Sequence, residues 1–143
     1  MSDFVLPDPL PPFGSYVPWT RAGELLFTAG HFGVEDGAAV TGRLGVDLDA
    51  ERGYEVARLA ALSLLATVQD ALGDLDRVVQ VVRVYGVVNA APDFTDHTRV
   101  IDGASDLLVQ AFGDRGRHAR LAVGVASLPA GLALEIDAVL QVR

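Results

Sequence analysis

Apolar residues recur at spacings of three and four from about residue 50 to residue 72. Tyr54, Ala57, Ala61, Leu64, Val68 and Leu72 form the stripe, and Leu62 and Leu65 widen it. That period predicts a helix with one buried side. Asp47-Leu48-Asp49 offers capping residues ahead of it, and Gly73 followed by Asp74 ends it. A second stripe, Val100, Ala104, Leu107, Leu108 and Phe112, predicts a helix over residues 94–112 that Gly113 closes. Gly103 is a weak point within it, since glycine is a poor helix former.

Between the helices, residues 78–89 read VVQVVRVYGVVN, β-branched on both alternating faces. A strand of this composition is covered on both sides. Two helices cover one face of a small sheet, so the other face needs a second cover, most simply another copy of the chain. Upstream, residues 16–20 and 24–30 have strand character, and residues 38–41 suggest a third short strand after an Asp36-Gly37 turn. Downstream, residues 118–137, HARLAVGVASLPAGLALEID, read as two strands joined at Leu128-Pro129-Ala130-Gly131, that is, as a hairpin. Four of the seven prolines fall within residues 1–13, which predicts an extended surface arm. The expected architecture is α+β in the order β-β-(β)-α-β-α-β-β: a mixed sheet with two helices on one face, one domain over residues 1–143.

Alternation along this hairpin sets His118, Arg120, Ala122 and Gly124 on one face and Ala119, Leu121, Val123 and Val125 on the other. The leucine-bearing face is expected to be core. In the next strand Leu134, Ile136, Ala138 and Leu140 oppose Glu135, Asp137 and Gln141. Arg120 and Glu135 are thus expected to share the non-core side. In an unbulged hairpin with a four-residue loop, Arg120 faces Val139 and Glu135 faces Gly124. The two side chains then stand roughly 13 Å apart along the strands. If they share a site, they come from different subunits.

Composition removes much alternative chemistry. The chain has no cysteine and no lysine, all eleven of its cations being arginine. Disulfides, thiolate nucleophiles and lysine Schiff bases are excluded. A net charge of -8 and a pI near 4.6 disfavour a nucleic-acid partner. His31, His97 and His118 show no metal-ligand spacing, so neither a metal nor a cofactor is expected. No run is apolar enough to span a bilayer and the N-terminus has no secretory pattern, which predicts a cytoplasmic protein without a membrane partner. GxSxG, GxGxxG and GxxxxGK[ST] motifs are absent.

What remains is Arg120, Glu135, His118 and Tyr16, with backbone groups around Gly30 and Gly124. Arg120 is suited to clamping a carboxylate through two parallel donors, or to an ion pair with Glu135 or Asp137 at a subunit contact. Glu135 is suited to holding or activating a water, or to the same ion pair. His118 shares the face of Arg120, though a lone histidine more often makes structural hydrogen bonds.

These residues carry a family resemblance. HARLAVGVASLPAGLALEIDAV resembles the C-terminal signature of the Rid family (RidA/YjgF, once called endoribonuclease L-PSP). Gly14-Ser15-Tyr16-Val17 and Leu26-Phe27-Thr28-Ala29-Gly30-His31 resemble its N-terminal segments, and VVNAAPDFTDHTRVIDGASDLLVQAFGDRGRHAR a chorismate-mutase-like branch. The resemblance runs from about Phe13 onward. It implies a chorismate-mutase-like fold, a homotrimer with three intersubunit clefts, and hydrolysis of reactive enamines and imines such as 2-aminoacrylate and 2-iminopropanoate to 2-oxo acids and ammonia. It also implies that Arg120 binds the substrate carboxylate, that Glu135 serves the attacking water, and that Tyr16, Ala29, Gly30 and His118 line the substrate site. Ala29 stands where the family's serine is usual, His31 where glutamine is common, and Ala122 where cysteine is frequent. Three other readings remain: a non-catalytic module binding small carboxylates, a Rid-like enzyme tailored to one biosynthetic pathway and, weakest given the charge, an endoribonuclease.

Overall fold

The computed structural model describes residues 4–143, so the first three residues of the expected arm lie outside it. Strands β1 (Trp19–Ala22) and β2 (Leu25–Thr28) precede a two-stranded ribbon, β3 (Val34–Glu35) and β4 (Ala38–Ala39). Helix α1 (Ala50–Leu72), strand β5 (Val78–Asn89), helix α2 (His97–Phe112) and strands β6 (Ala119–Val125) and β7 (Leu134–Val142) follow. This is a mixed α+β arrangement with both helices on one face, as the hydrophobic pattern predicts. The expected third strand is instead the β3–β4 ribbon, folded on the Asp36-Gly37 turn where both residues have positive φ. That turn is the one the sequence signals.

The Asp49 side chain caps α1 by accepting from the Arg52 N–H at 2.8 Å, and left-handed Gly73 ends the helix. Helix α2 begins at His97, three residues later than the periodicity suggests, and its N-cap Asp96 makes no side-chain cap bond. The expected weak point, Gly103, is where the helices meet. A Cβ there would collide with the backbone carbonyl of Tyr54, so α1 approaches as closely as it does only because this residue has no side chain. Leu64, Leu65 and Val68 of α1 and Ile101, Leu107 and Leu108 of α2 are fully buried with Val81, Val84 and Val88 of β5.

The main sheet runs β1-β2-β7-β5-β6. Strands β6 and β7 therefore do not form the expected hairpin. β5 lies between them, parallel to β6 and antiparallel to β7. The twelve-residue strand takes the inner place between them because its β-branched residues gain most from pairing on both edges. Helix α2 makes the crossover that a parallel pair needs, and residues 126–133 carry the chain across the end of β5. The Asn89 N–H donates to the Ala133 carbonyl at 2.9 Å, and the Asn89 side-chain amide to the Leu132 carbonyl at 3.2 Å, fastening that crossing.

The face of the sheet away from the helices is open in the single chain. Leu25, Phe27 and Leu121 on it are 38%, 39% and 46% exposed. Strand β7 alternates strictly between buried residues facing the helices and half-buried residues facing this side, among them Glu135 and Asp137.

Candidate functional site

Register places Arg120 and Glu135. Arg120 pairs with Val84, which pairs with Ala138, and both neighbours are buried under the helices. Glu135 pairs with Val87 on the opposite, open face. The two side chains therefore leave opposite faces of the sheet, two strands apart laterally and three residues apart lengthwise, on the order of 14 Å at ordinary sheet spacings. The expectation that they share one face is incorrect, and Leu121, expected to be core, lies on the open face. Their separation within one chain holds, for a different reason from the hairpin count.

Glu135 stands in a cleft of about 240 Å³. Tyr16, Ala29, Gly30, Pro129 and Leu132 line it, and Leu10, Pro11, Pro12 and Phe13 of the N-terminal arm roof it. Four of the residues singled out in the sequence, Tyr16, Ala29, Gly30 and Glu135, therefore do come together. Gly30 matters through its missing side chain: a Cβ would lie 2.9 Å from Glu135 Oε1. Burial, aided by the charge of Asp137 two residues on, pushes the Glu135 carboxyl above the usual range. It makes no hydrogen bond to another described residue, so its lone pairs are available to whatever occupies the cleft. Tyr16 accepts a hydrogen bond from the Phe13 N–H at 3.1 Å, which leaves its own hydroxyl hydrogen free to donate.

Arg120 lies against α2. One terminal nitrogen, Nη1, donates to Asp102 Oδ1 at 2.9 Å and to Ser105 Oγ at 3.0 Å, while Nη2 donates to the Thr98 carbonyl at 3.1 Å. Of five guanidinium hydrogens, Nε–H and one on Nη2 have no partner among the described residues. His118 continues the chain of contacts. Its Nδ1 is 2.6 Å from the Gly116 carbonyl and so donates to it, which leaves Nε2 to accept from the Ser105 hydroxyl at 2.8 Å. Burial first, then the Arg120 charge, lower its pKa. His118 thus supports Arg120 through Ser105 and is remote from the cleft of Glu135.

His31 lies under that cleft as a strut. It is 2% exposed, donates from Nδ1 to the Ala29 carbonyl at 2.7 Å, and accepts at Nε2 from the Thr67 hydroxyl at 2.7 Å. Burial lowers its pKa, consistent with that neutral tautomer. No group of three metal-ligating side chains is gathered among the described residues. Nor does any helix among them have the length and apolarity to cross a membrane.

Sequence reasoning missed three contributors: the arm residues over the cleft, Phe32 and Leu132 in its wall, and the Asp102–Ser105–Thr98 set that seats Arg120. Only the arm left a signal, since Phe13 lies three residues before Tyr16. The others depend on which strand neighbours which.

Comparison with known proteins agrees with this architecture. The profile of the family described as "YjgF/chorismate_mutase-like, putative endoribonuclease" matches residues 2–135. The Trypanosoma cruzi protein TCP17 is 44% identical over 140 residues, covering 96% of this chain and 88% of that protein. The crystal structure of Atu1372, of unknown function, from Agrobacterium tumefaciens superposes with a TM-score of 0.92 at 40% identity, covering 99% of this chain and 87% of that one. That of a "putative endoribonuclease" from Shewanella oneidensis gives 0.94 at 33% identity, covering 96% and 92%. Two helices on one face of the sheet, the signature from His118 to Asp137 and a profile match over most of the length lead to one conclusion: the chain belongs to the YjgF/chorismate-mutase-like family.

Proposed function

We propose that this protein is a homotrimeric enamine/imine deaminase whose site joins the Glu135 cleft of one subunit to Arg120 of the next. The observation that carries the reading is Glu135 itself: a half-buried carboxylate with no partner among the described residues, facing a cleft that also holds Tyr16 and Gly30. Such a group positions a water and takes its proton. The open sheet face, with Leu25, Phe27 and Leu121 exposed, favours self-association that sets two chains side by side. Arg120 at the β6 edge keeps Nε–H and one Nη2–H for a carboxylate.

In the proposed reaction the substrate's protonated C=N group is already electrophilic. Water held by Glu135 attacks its carbon, and the proton it loses passes to the carboxylate. The resulting carbinolamine breaks its C–N bond once Glu135 has returned that proton to nitrogen; the hydroxyl proton passes to the freed carboxylate as the C=O forms and from there to the departing ammonia, so that ammonium and a 2-oxo acid leave. The raised Glu135 pKa makes the carboxylate a better base and a better proton carrier. Ala29 supplies no hydroxyl, so positioning rests on Glu135, Tyr16 and backbone groups.

The test is release of ammonia and 2-oxo acid from enzymatically generated 2-aminoacrylate. Wild type accelerates it and Arg120→Ala does not. Equal rates for wild type, variant and buffer overturn the reading. Carboxylate binding without turnover would instead fit a non-catalytic module. The net charge of -8 weighs against ribonuclease action.

A further inference from the structure

The wall of the Glu135 cleft that comes from the N-terminal arm is wholly apolar, and the arm is fixed over it at several points. Phe4 and Leu6 pack against the core, and the Arg58 guanidinium lies 5.6 Å above the Phe4 ring. Further along, the Phe13 ring stacks at 5.6 Å on Phe32, itself buried, and the Phe13 N–H is held by Tyr16. Four prolines within these residues reduce the freedom the arm loses on docking. Leu10, Pro11, Pro12 and Phe13 then face Glu135 across the cleft, with Phe32 and Leu132 beside them.

We infer that the arm builds a specificity subsite: Leu10 and Phe13, with Phe32 and Leu132, select ligands carrying a branched aliphatic or aromatic side chain. The inference rests on the Glu135 cleft being the ligand site, and goes further by assigning the side-chain class. The cleft, at about 240 Å³, is larger than the roughly 150 Å³ cavity that holds a benzene ring, so a side chain of that size leaves space for the water at Glu135. A methyl group, as in 2-aminoacrylate chemistry, would leave most of the apolar wall uncovered. An anionic side chain would be desolvated there and held against the like charge of the Glu135 carboxylate, and a cationic one would pair with that carboxylate and take it from the water.

Titration calorimetry of the full-length protein with pyruvate, 4-methyl-2-oxopentanoate and phenylpyruvate reads the subsite without requiring turnover. Affinity for the branched acid is expected to exceed that for pyruvate by about fourfold per methylene buried. The Leu10→Ala/Phe13→Ala variant loses most of that preference, read as the ratio of the two affinities, and Phe13→Leu keeps it. Phe13 is 71% exposed and Leu10 partly exposed, so neither substitution threatens the fold. Equal affinity for the three acids, or a preference undiminished in the double variant, overturns the inference. Hydrolysis of imines without side-chain preference would refute the subsite and leave the deaminase reading intact. An arm-dependent binding preference without hydrolysis would do the reverse.

Discussion

Gly30→Ala separates the stability of this protein from its activity. Gly30 has no positive φ and lies at an exposed position, so alanine adopts its backbone conformation without strain. Replacing glycine at such a position stabilises by about 0.4–1 kcal/mol, because the unfolded chain loses freedom. For a chain of this length that raises Tm on the order of 1–4 °C. The new methyl carbon, however, would stand 2.9 Å from Glu135 Oε1. The carboxylate must retreat by roughly half an ångström or more to reach an ordinary contact. It is free to do so, because no hydrogen bond from a described residue holds it. A general base displaced by about 1 Å costs up to ~100-fold in rate, so kcat/KM for imine hydrolysis falls on the order of 10- to 100-fold while Tm holds or rises. Thermal unfolding and a coupled 2-oxo acid assay on the same preparation give both readouts. Undiminished kcat/KM would show that the position of Glu135 does not govern the chemistry. A lowered Tm would show that Gly30 is required by the fold instead.

Glu135→Gln raises stability at neutral pH while abolishing hydrolysis. A carboxyl whose folded pKa is raised stabilises the fold below its ordinary value and loses that contribution as pH rises through the folded value. The neutral amide escapes that loss, so the Tm advantage is present at pH 7 and shrinks toward acid, which a Tm–pH series checks. His31 and His118 act with the opposite sign, because burial holds both below the ordinary histidine value. The unfolded chain takes up their protons first, so stability declines as pH falls through about 6.5 toward the depressed folded values. A Tm series between about pH 7 and pH 5.5 shows the decline, and His31→Gln/His118→Gln flattens it. An unchanged slope in that variant would place the titration elsewhere.

Much of the fold could be read from the hydrophobic pattern, and the exceptions share one origin. Helix α1 and strand β5 begin and end where periodicity places them, because a capped amphipathic stripe and a run of β-branched residues are local signals. Strand neighbours are not local. The segments around Arg120 and Glu135 read as a hairpin since Pro129 and Gly131 mark a turn, but β5 competes for both partners and takes them. The covered face of β6 is ambiguous in the sequence for a related reason. Alternation separates Arg120, Ala122 and Gly124 from Ala119, Leu121 and Val123 without saying which set is covered. Polarity favoured Leu121, whereas volume decides: Ala122 packs against the core, and Gly124 leaves room for His97. At the site, Tyr16, Ala29, Gly30 and Glu135 could be placed together only through the family signature. The arm above them and the seat of Arg120 on α2 are tertiary facts that no motif encodes.

Subunit mixing tests most directly whether one site draws Glu135 and Arg120 from different chains. Arg120→Ala and Glu135→Gln are each inactive as pure proteins on this account. Co-refolded in equal amounts, they form mixed assemblies in which about a quarter of the clefts combine an intact Arg120 with an intact Glu135, as random arrangement in a closed ring requires. Imine hydrolysis should therefore return to about a quarter of the wild-type rate. No recovery, in assemblies shown by native mass spectrometry to contain both variants, would contradict the shared site.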